Sequence, residues 1–150
     1  MRALVQRVSK SQVKIGLETV GSITAGLCIF IGIMEGDDFK DIKYLVDKTI
    51  NLRIFPNSAG KFDRSALDLN AELMVISQFT LYADTSKGRM PSFIRSARPE
   101  KAKEMFEDVV KTFTETGLQI QTGKFQKHMH VSLVNDGPVT IFIDSKHPEI

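Results

Sequence analysis

Residues 27–34 form a run that is apolar at every position except Gly32. A strand in a sheet with one solvated face alternates apolar and polar side chains, whereas a continuous apolar run is typical of a strand covered on both faces. Residues 73–76 form a second run of the same kind. We therefore expect two central strands with other parts of the chain packed on both sides of them. This requirement limits the possible architectures more than any other feature.

The other strands are predicted from shorter apolar segments. Residues 2–8 and 11–15 are predicted as two strands, with Val5, Val8, Val13 and Ile15 turned toward the core. The run from Leu73 is expected to continue as a strand through Tyr82. Residues 55–70 are rich in turn-forming residues, and Pro56-Asn57-Ser58-Ala59-Gly60 is predicted as a loop. The last predicted strands are residues 118–122, 131–134 and 139–143.

Two segments have the apolar spacing of helices. The first spans about residues 38–53, begins after the potential N-cap Asp38, and has apolar residues at helical spacing from Phe39 to Ile50. The second begins at Pro99 and ends before Gly117. Its apolar stripe consists of Ala102, Met105, Phe106, Val109, Val110 and Phe113. The pattern predicts an α+β fold with a curled, mostly antiparallel sheet and two principal helices. Residues 1–150 fit one domain, since no repeat or linker divides them.

Composition and charge exclude several classes of protein. Cys28 is the only cysteine, which rules out an internal disulfide, and its apolar neighbours predict a buried thiol. No apolar stretch is long enough to span a membrane and the N-terminus does not resemble a signal peptide, so we expect a soluble cytosolic protein. The net charge is only +2, but residues 87–103 contain six basic residues and one acid, a local charge of +5. This segment is either a footprint for a phosphate backbone or a solvated loop and helix start.

Two motifs place unexpected residues in apolar surroundings. Ser77 and Gln78 interrupt a buried strand, and a buried polar group without a partner costs roughly 1–3 kcal/mol. They indicate either a polar pocket at the end of the strand or hydroxyl groups bonded to the local backbone. The segment Asn135-Asp136-Gly137-Pro138-Val139-Thr140 is predicted as a hairpin turn. A cis Gly-Pro bond there would point both main-chain oxygens toward one ligand.

Standard catalytic signatures are absent from the sequence. A nucleophilic Ser77 or Thr80 would need an activating base, and residues 77–82 contain none, which disfavours an acyl-enzyme mechanism. His128 and His130 would share one face of a strand and could hold a metal ion. Two ligands without a third are weak evidence for such a site, so we expect no metal and no cofactor.

Two motifs together resemble one family. Ser77-Gln78-Phe79-Thr80-Leu81 is similar to the S-Q-x-T-L motif of the D-aminoacyl-tRNA deacylases, and Asn135-Asp136-Gly137-Pro138-Val139-Thr140 is similar to their N-x-G-P-x-T motif. Other segments agree in order, so that the resemblance covers essentially the whole chain. It departs from the family at two places. The family often has F-G-A where this chain has Phe125-Gln126-Lys127, and it often has Arg or Asn-Arg directly before Pro-Ser-Phe, where this chain has Arg89-Met90.

The resemblance implies a fold, an activity and a set of site residues. The implied fold is a curled β-sheet barrel with helices outside, assembled as a homodimer in which the Gly-cis-Pro of one subunit reaches into the pocket of the other. The implied activity is hydrolysis of D-aminoacyl-tRNA, and of glycine wrongly attached to tRNA, with L-amino acids rejected. The implied catalytic residues are Ser77, Gln78, Phe79 and Thr80, and the implied substrate-binding residues are Gly137, Pro138, Phe125 and Met129. Lys87, Arg89 and Arg95 are expected to contact tRNA phosphates.

The family's mechanism is substrate-assisted, in that the ribose 2′-hydroxyl helps to position or activate water. This agrees with the lack of a protein base near Thr80. A non-catalytic RNA-binding module on the same fold is the alternative that the basic segment leaves open. It does not account for polar residues kept inside an apolar strand.

Overall fold

The sheet is built around one long N-terminal strand. In the computed structural model, which describes residues 1–149, β1 runs from Arg2–Ile15 and pairs with antiparallel neighbours on both edges. On one edge lie β2, Glu18–Ile23, and β3, Gly26–Gly32. On the other edge lies β8, His130–Asp144. The predicted division of β1 into two strands is wrong, because β8 pairs with both halves and the strand stays continuous through the irregularities in register near Val8.

The two apolar runs form the centre of the sheet. β6, Glu72–Ser77, pairs with β3 in parallel, and β7, Ile120–Thr122, pairs with β6 in parallel. The sheet is therefore mixed, with three antiparallel and two parallel pairings. It curls into a nearly closed barrel, since a Cβ placed on Gly21 of β2 would lie 2.9 Å from the carbonyl oxygen of Thr122 in β7.

Two principal helices pack against this sheet, as predicted. α1 spans Phe39–Asn51 and is capped by Asp38, whose side chain accepts from the N–H groups of Lys40 and Asp41. α3 spans Pro99–Thr114, and its predicted apolar stripe is buried or half-buried. The two helices contact each other and cover one face of the core. No helix among residues 1–149 is long and apolar enough to cross a bilayer.

The turn-rich segment 55–70 contains short elements around the predicted loop at 56–60. β4, Phe55–Pro56, pairs with β5, Phe62–Arg64, and both precede α2, Ala66–Leu69. α2 forms because Ser65 and Asp68 make a reciprocal capping box, which satisfies two N–H groups at the start of a single turn.

Two predictions about the site motifs are corrected. The strand from Leu73 ends at Ser77 and is followed by a 3₁₀ helix, Phe79–Tyr82, so Thr80 is not part of a strand. The chain turns here because the N–H of Leu81 donates to the carbonyl of Gln78. The predicted hairpin at 135–140 is also wrong. These residues lie inside the continuous strand β8, and the Asn135 side chain bonds to both the N–H and the carbonyl of Val139.

Candidate active site

A cavity of about 600 Å³ opens beside the end of β6. Its walls come from four separated parts of the chain: Ile33 after β3, the end of β6 with the turn after it, the loop 84–98 with the start of α3, and the turn between β7 and β8 with the start of β8. Five of the predicted site residues line it: Ser77, Gln78, Phe79, Phe125 and Met129. Its volume falls within the usual range for small-ligand sites, about 300–1,000 Å³.

The turn after β6 presents polar groups at the cavity. The Gln78 N–H donates to the Ile31 carbonyl at 2.7 Å, which fixes where the strand ends. The Gln78 side-chain amide donates to the Thr80 hydroxyl. The N–H groups of Phe79 and Thr80 lie in the first turn of the 3₁₀ helix, where a helix offers no acceptor of its own. This turn therefore has donors that are available to a bound oxygen.

Thr80 is exposed and does not itself line the cavity. It is connected to the cavity through its bond with Gln78. Its role as a catalytic residue stays a prediction.

Aromatic side chains form much of the apolar wall. Phe79 is 55% exposed and meets Phe93 edge-on, with ring centroids 5.0 Å apart. Phe125 packs against Phe106 of α3, with ring centroids 6.2 Å apart. The Ser96 hydroxyl donates to the Phe79 carbonyl at 3.2 Å and ties the loop before α3 to the 3₁₀ turn. Phe93 and Ser96 were missed by the sequence analysis because loop residues show no periodic signal.

The Gly-Pro segment lies elsewhere and does not line this cavity. Gly137-Pro138 is a cis peptide, and Gly137 has φ +151°. Buried Arg7 holds the segment, donating to the Asp136 carbonyl at 2.8 Å and to the Ile54 carbonyl at 2.6 Å. Arg7 was also missed, because a single arginine in a strand gives no sign of its partner 129 residues later.

The Gly-Pro segment is far from the cavity of the same chain. Val131, at the start of β8, lines the cavity, and Gly137 follows six residues later in the strand. At about 3.3 Å per residue, this is roughly 20 Å. Pro138 is exposed on the surface.

The predicted tRNA-contacting residues lie on the loop 84–98. Lys87, Arg89 and Arg95 are exposed and none of them lines the cavity. The loop is closed by a two-way backbone bridge between Asp84 and Ser92 at 2.8 and 2.9 Å. Hydrogen bonds from Ser86 hold the pKa of Asp84 below its ordinary value.

Cysteine and histidine residues show no built metal site. Cys28 is buried, as predicted, and burial raises the pKa of its thiol to about 11. The rings of His128 and His130 meet edge-on, with centroids 5.1 Å apart. Only His130 belongs to β8, so the two residues do not lie on one strand as predicted. No group of three or more potential ligands among His, Cys, Asp and Glu occurs within residues 1–149.

Known proteins are similar to this chain over nearly its whole length. A family model described as D-Tyr-tRNA(Tyr) deacylase matches residues 4–144. The D-aminoacyl-tRNA deacylase of Thermosipho africanus is 50% identical over 146 residues, covering 97% of this chain and 98% of that protein. The protein of the same name from Aquifex aeolicus is 50% identical over 146 residues, covering 97% and 99%.

Two solved structures are similar in fold to this chain over nearly its whole length. A structure named c-Myc DNA Unwinding Element Binding Protein superposes with a TM-score of 0.91 at 36% identity, covering 96% of this chain and 98% of that one. A probable eukaryotic D-amino acid tRNA deacylase shares the fold, with a TM-score of 0.79 at 13% identity, covering 95% and 98%. The match over residues 4–144 confirms the resemblance seen in the two motifs, and the chain belongs to the D-Tyr-tRNA(Tyr) deacylase family of ester hydrolases.

Proposed function

We propose that this protein hydrolyses the ester between a D-amino acid and the 3′-terminal adenosine of tRNA. The observation that carries the proposal is the cavity beside β6, in which Ser77, Gln78, Phe79, Phe125 and Met129 come together from distant parts of the sequence. The names of the relatives, which are D-aminoacyl-tRNA deacylases at about 50% identity, support the choice of substrate.

The proposed step is attack of water on the ester carbonyl carbon. The bond between that carbon and the ribose oxygen breaks, the ribose oxygen takes a proton, and the free amino acid leaves. Negative charge develops on the carbonyl oxygen during the attack, and N–H donors aimed at such an oxygen stabilise the transition state. The N–H groups of Phe79 and Thr80 are the proposed donors, and the ribose 2′-hydroxyl is the proposed group that positions the water.

The proposed assembly is a homodimer with composite sites. The Gly-Pro segment does not line the cavity of its own chain, and Gly137 follows the lining residue Val131 by up to roughly 20 Å along β8, which favours contact with a different cavity. A second copy related by a two-fold axis can place its Gly137 and Pro138 at the first copy's cavity. Main-chain oxygens of that segment would contact the substrate α-amino group and leave no space for an L side chain.

Such rejection has a consequence for glycine. Glycine has no side chain to exclude, so the proposal extends to glycyl-tRNA.

The whole chain is proposed to act as one domain in the cytosol, where aminoacyl-tRNA is used. Lys87, Arg89 and Arg95 are proposed to contact tRNA phosphates, and replacing Arg89 and Arg95 by Ala should raise KM for aminoacyl-tRNA at low salt.

The decisive experiment compares D-tyrosyl-tRNA with L-tyrosyl-tRNA in side-by-side deacylation assays, with and without a chelator. Fast loss of the D ester, with the L ester spared and no effect of the chelator, is the expected result. Equal cleavage of both esters would contradict the rejection mechanism. Loss of activity with the chelator would instead point to a metal ion at His128 and His130.

A nucleic-acid-binding module is the second candidate function. It is favoured by the basic loop 84–98 and by the 36% identical structure whose name describes binding of a DNA unwinding element. Tight binding of tRNA without cleavage of either ester would support it over the proposed hydrolase.

A further inference from the structure

The mouth of the cavity carries three basic side chains that the proposed hydrolysis does not use. Arg98 immediately precedes α3, and Lys127 and His128 lie in the turn between β7 and β8. All three are exposed and line the same cavity. Within residues 1–149, no aspartate or glutamate lines this cavity. The charged residues that line this cavity within residues 1–149 are therefore all basic.

These basic side chains are not paired with carboxylates of the protein. Across residues 1–149, no ion pair within 4.0 Å involves Arg98, Lys127 or His128, whereas the nearby Lys103 pairs with Glu107. Unpaired cations of one sign, gathered at an apolar-walled cleft, concentrate the field on any anion that enters.

The backbone holds two of the three basic side chains at the rim. Gln126 adopts φ +58°, a left-handed conformation that costs free energy in a residue other than glycine. The N–H of Lys127 donates to the Lys124 carbonyl at 3.3 Å and closes the turn. Phe125 before this turn and Met129 after it both line the cavity, so Lys127 and His128 lie between two wall residues.

We propose that Arg98, Lys127 and His128 bind an anionic oxygen group of the substrate at the mouth of the cavity, an inference that rests on the proposed function. The arginine can bind two oxygens through its planar fork, the lysine adds a compact charge, and the histidine adds a third charge when protonated. Two groups of an aminoacyl-tRNA have this chemistry. One is the phosphodiester on the 5′ side of the terminal adenosine, and the other is the side-chain carboxylate of a D-aspartyl or D-glutamyl ester.

The test uses the variants Arg98→Gln, Lys127→Met and His128→Gln, alone and combined. Lys124→Met is the matched control, because it removes an exposed lysine from the same turn that does not line the cavity. Each protein is assayed at low and moderate salt with D-tyrosyl-tRNA, D-aspartyl-tRNA and D-tyrosyl-adenosine, which has no phosphate.

A phosphodiester ligand predicts that the combined variant raises KM for both tRNA substrates about 5- to 30-fold at low salt, with kcat unchanged and a shallower salt dependence. D-tyrosyl-adenosine and the Lys124→Met control should behave as in the wild type. A side-chain carboxylate ligand predicts a rise in KM for D-aspartyl-tRNA alone. Unchanged KM for every substrate overturns the proposed anion site.

A binding measurement separates this inference from the proposed function. NMR titration compares adenosine 5′-monophosphate with adenosine, using wild type and the combined variant. Tighter binding of the monophosphate by wild type, lost in the variant, supports the phosphodiester arm without any turnover. If wild type fails to cleave D-tyrosyl-tRNA, the proposed function fails. Equal affinity for the nucleotide and the nucleoside overturns the phosphodiester as the ligand, whether or not the protein hydrolyses the ester.

Discussion

At the scale of single residues, Gly137 combines a positive φ with close neighbours. Its φ of +151° lies in a region that side chains rarely adopt, and a Cβ there would lie 2.6 Å from a Val139 methyl and 2.8 Å from the Val139 nitrogen. Arg7 and Asn135 hold the residues on either side through hydrogen bonds to Asp136 and Val139. The segment is therefore fixed on both sides of Gly137, as a specificity element requires.

We predict that Gly137→Ala impairs the reaction more than it impairs folding. The methyl group must displace Val139 and the main-chain oxygens beside it, so kcat/KM for D-tyrosyl-tRNA should fall by about tenfold or more. The strain should cost about 1–3 kcal/mol of unfolding free energy. Gly60→Ala is the control, since Gly60 also has positive φ but has open space around its Cβ. Equal loss of activity in both variants would contradict the prediction.

At the scale of elements, the start of α1 depends on one carboxylate with several partners. Asp41 accepts from the Asp38 N–H at 2.9 Å, from the Lys146 ammonium at 2.7 Å and from the Ser145 hydroxyl at 2.7 Å. Burial alone would raise the pKa of Asp41, but these hydrogen bonds outweigh burial and hold the pKa below 3.8. Asp144 behaves in the same way through its bonds with Arg2 and the Lys146 N–H.

This arrangement predicts how stability depends on pH. Because both carboxyls have a lower pKa in the folded chain than in the unfolded chain, their contribution is present above about pH 4 and is lost as the pH falls through the folded values. Asp41→Asn should lower the unfolding free energy at pH 7 by about 2 kcal/mol, and Tm by roughly 4–8 °C. Its Tm should also fall less than that of the wild type between pH 5 and 2.5.

The predicted pH dependence of Tm is tested by thermal unfolding, monitored by circular dichroism, at pH values from 7 to 2.5. The exposed Asp108 on α3 supplies the control, Asp108→Asn, which should reproduce the wild-type curve. Identical curves for Asp41→Asn and the wild type would show that the helix start does not depend on this carboxylate.

At the scale of the whole molecule, β8 is a long strand with one free edge. It pairs with β1 along its length and, within residues 1–149, with no other strand. It carries the half-exposed Val134, the exposed Pro138 and the partly buried Phe142. Long unpaired strands of this kind favour association with another chain. The proposed homodimer would cover this surface and complete each site with the partner's Gly-Pro segment.

Mixing two defective proteins tests the composite site. Gly137→Ala keeps an intact cavity, and Phe79→Ala, at an exposed wall residue, keeps an intact Gly-Pro segment. A mixed dimer has one site in which both parts are intact, so refolding an equal mixture should restore roughly a quarter of the wild-type deacylation rate. The rate of a mixture prepared without subunit exchange is the baseline. No recovery above that baseline would place the whole site within one chain.

The sequence by itself determined the doubly covered strands, both principal helices and the two motifs that identify the family. These features depend on local periodicity, capping residues and short spacings, which neighbouring residues specify directly. Only the tertiary structure decided that β1 and β8 are each continuous, because strand continuity depends on pairing between residues more than a hundred positions apart. For the same reason, only the tertiary structure brought Arg98, Lys127 and His128 to one cavity and left Gly137 far from it.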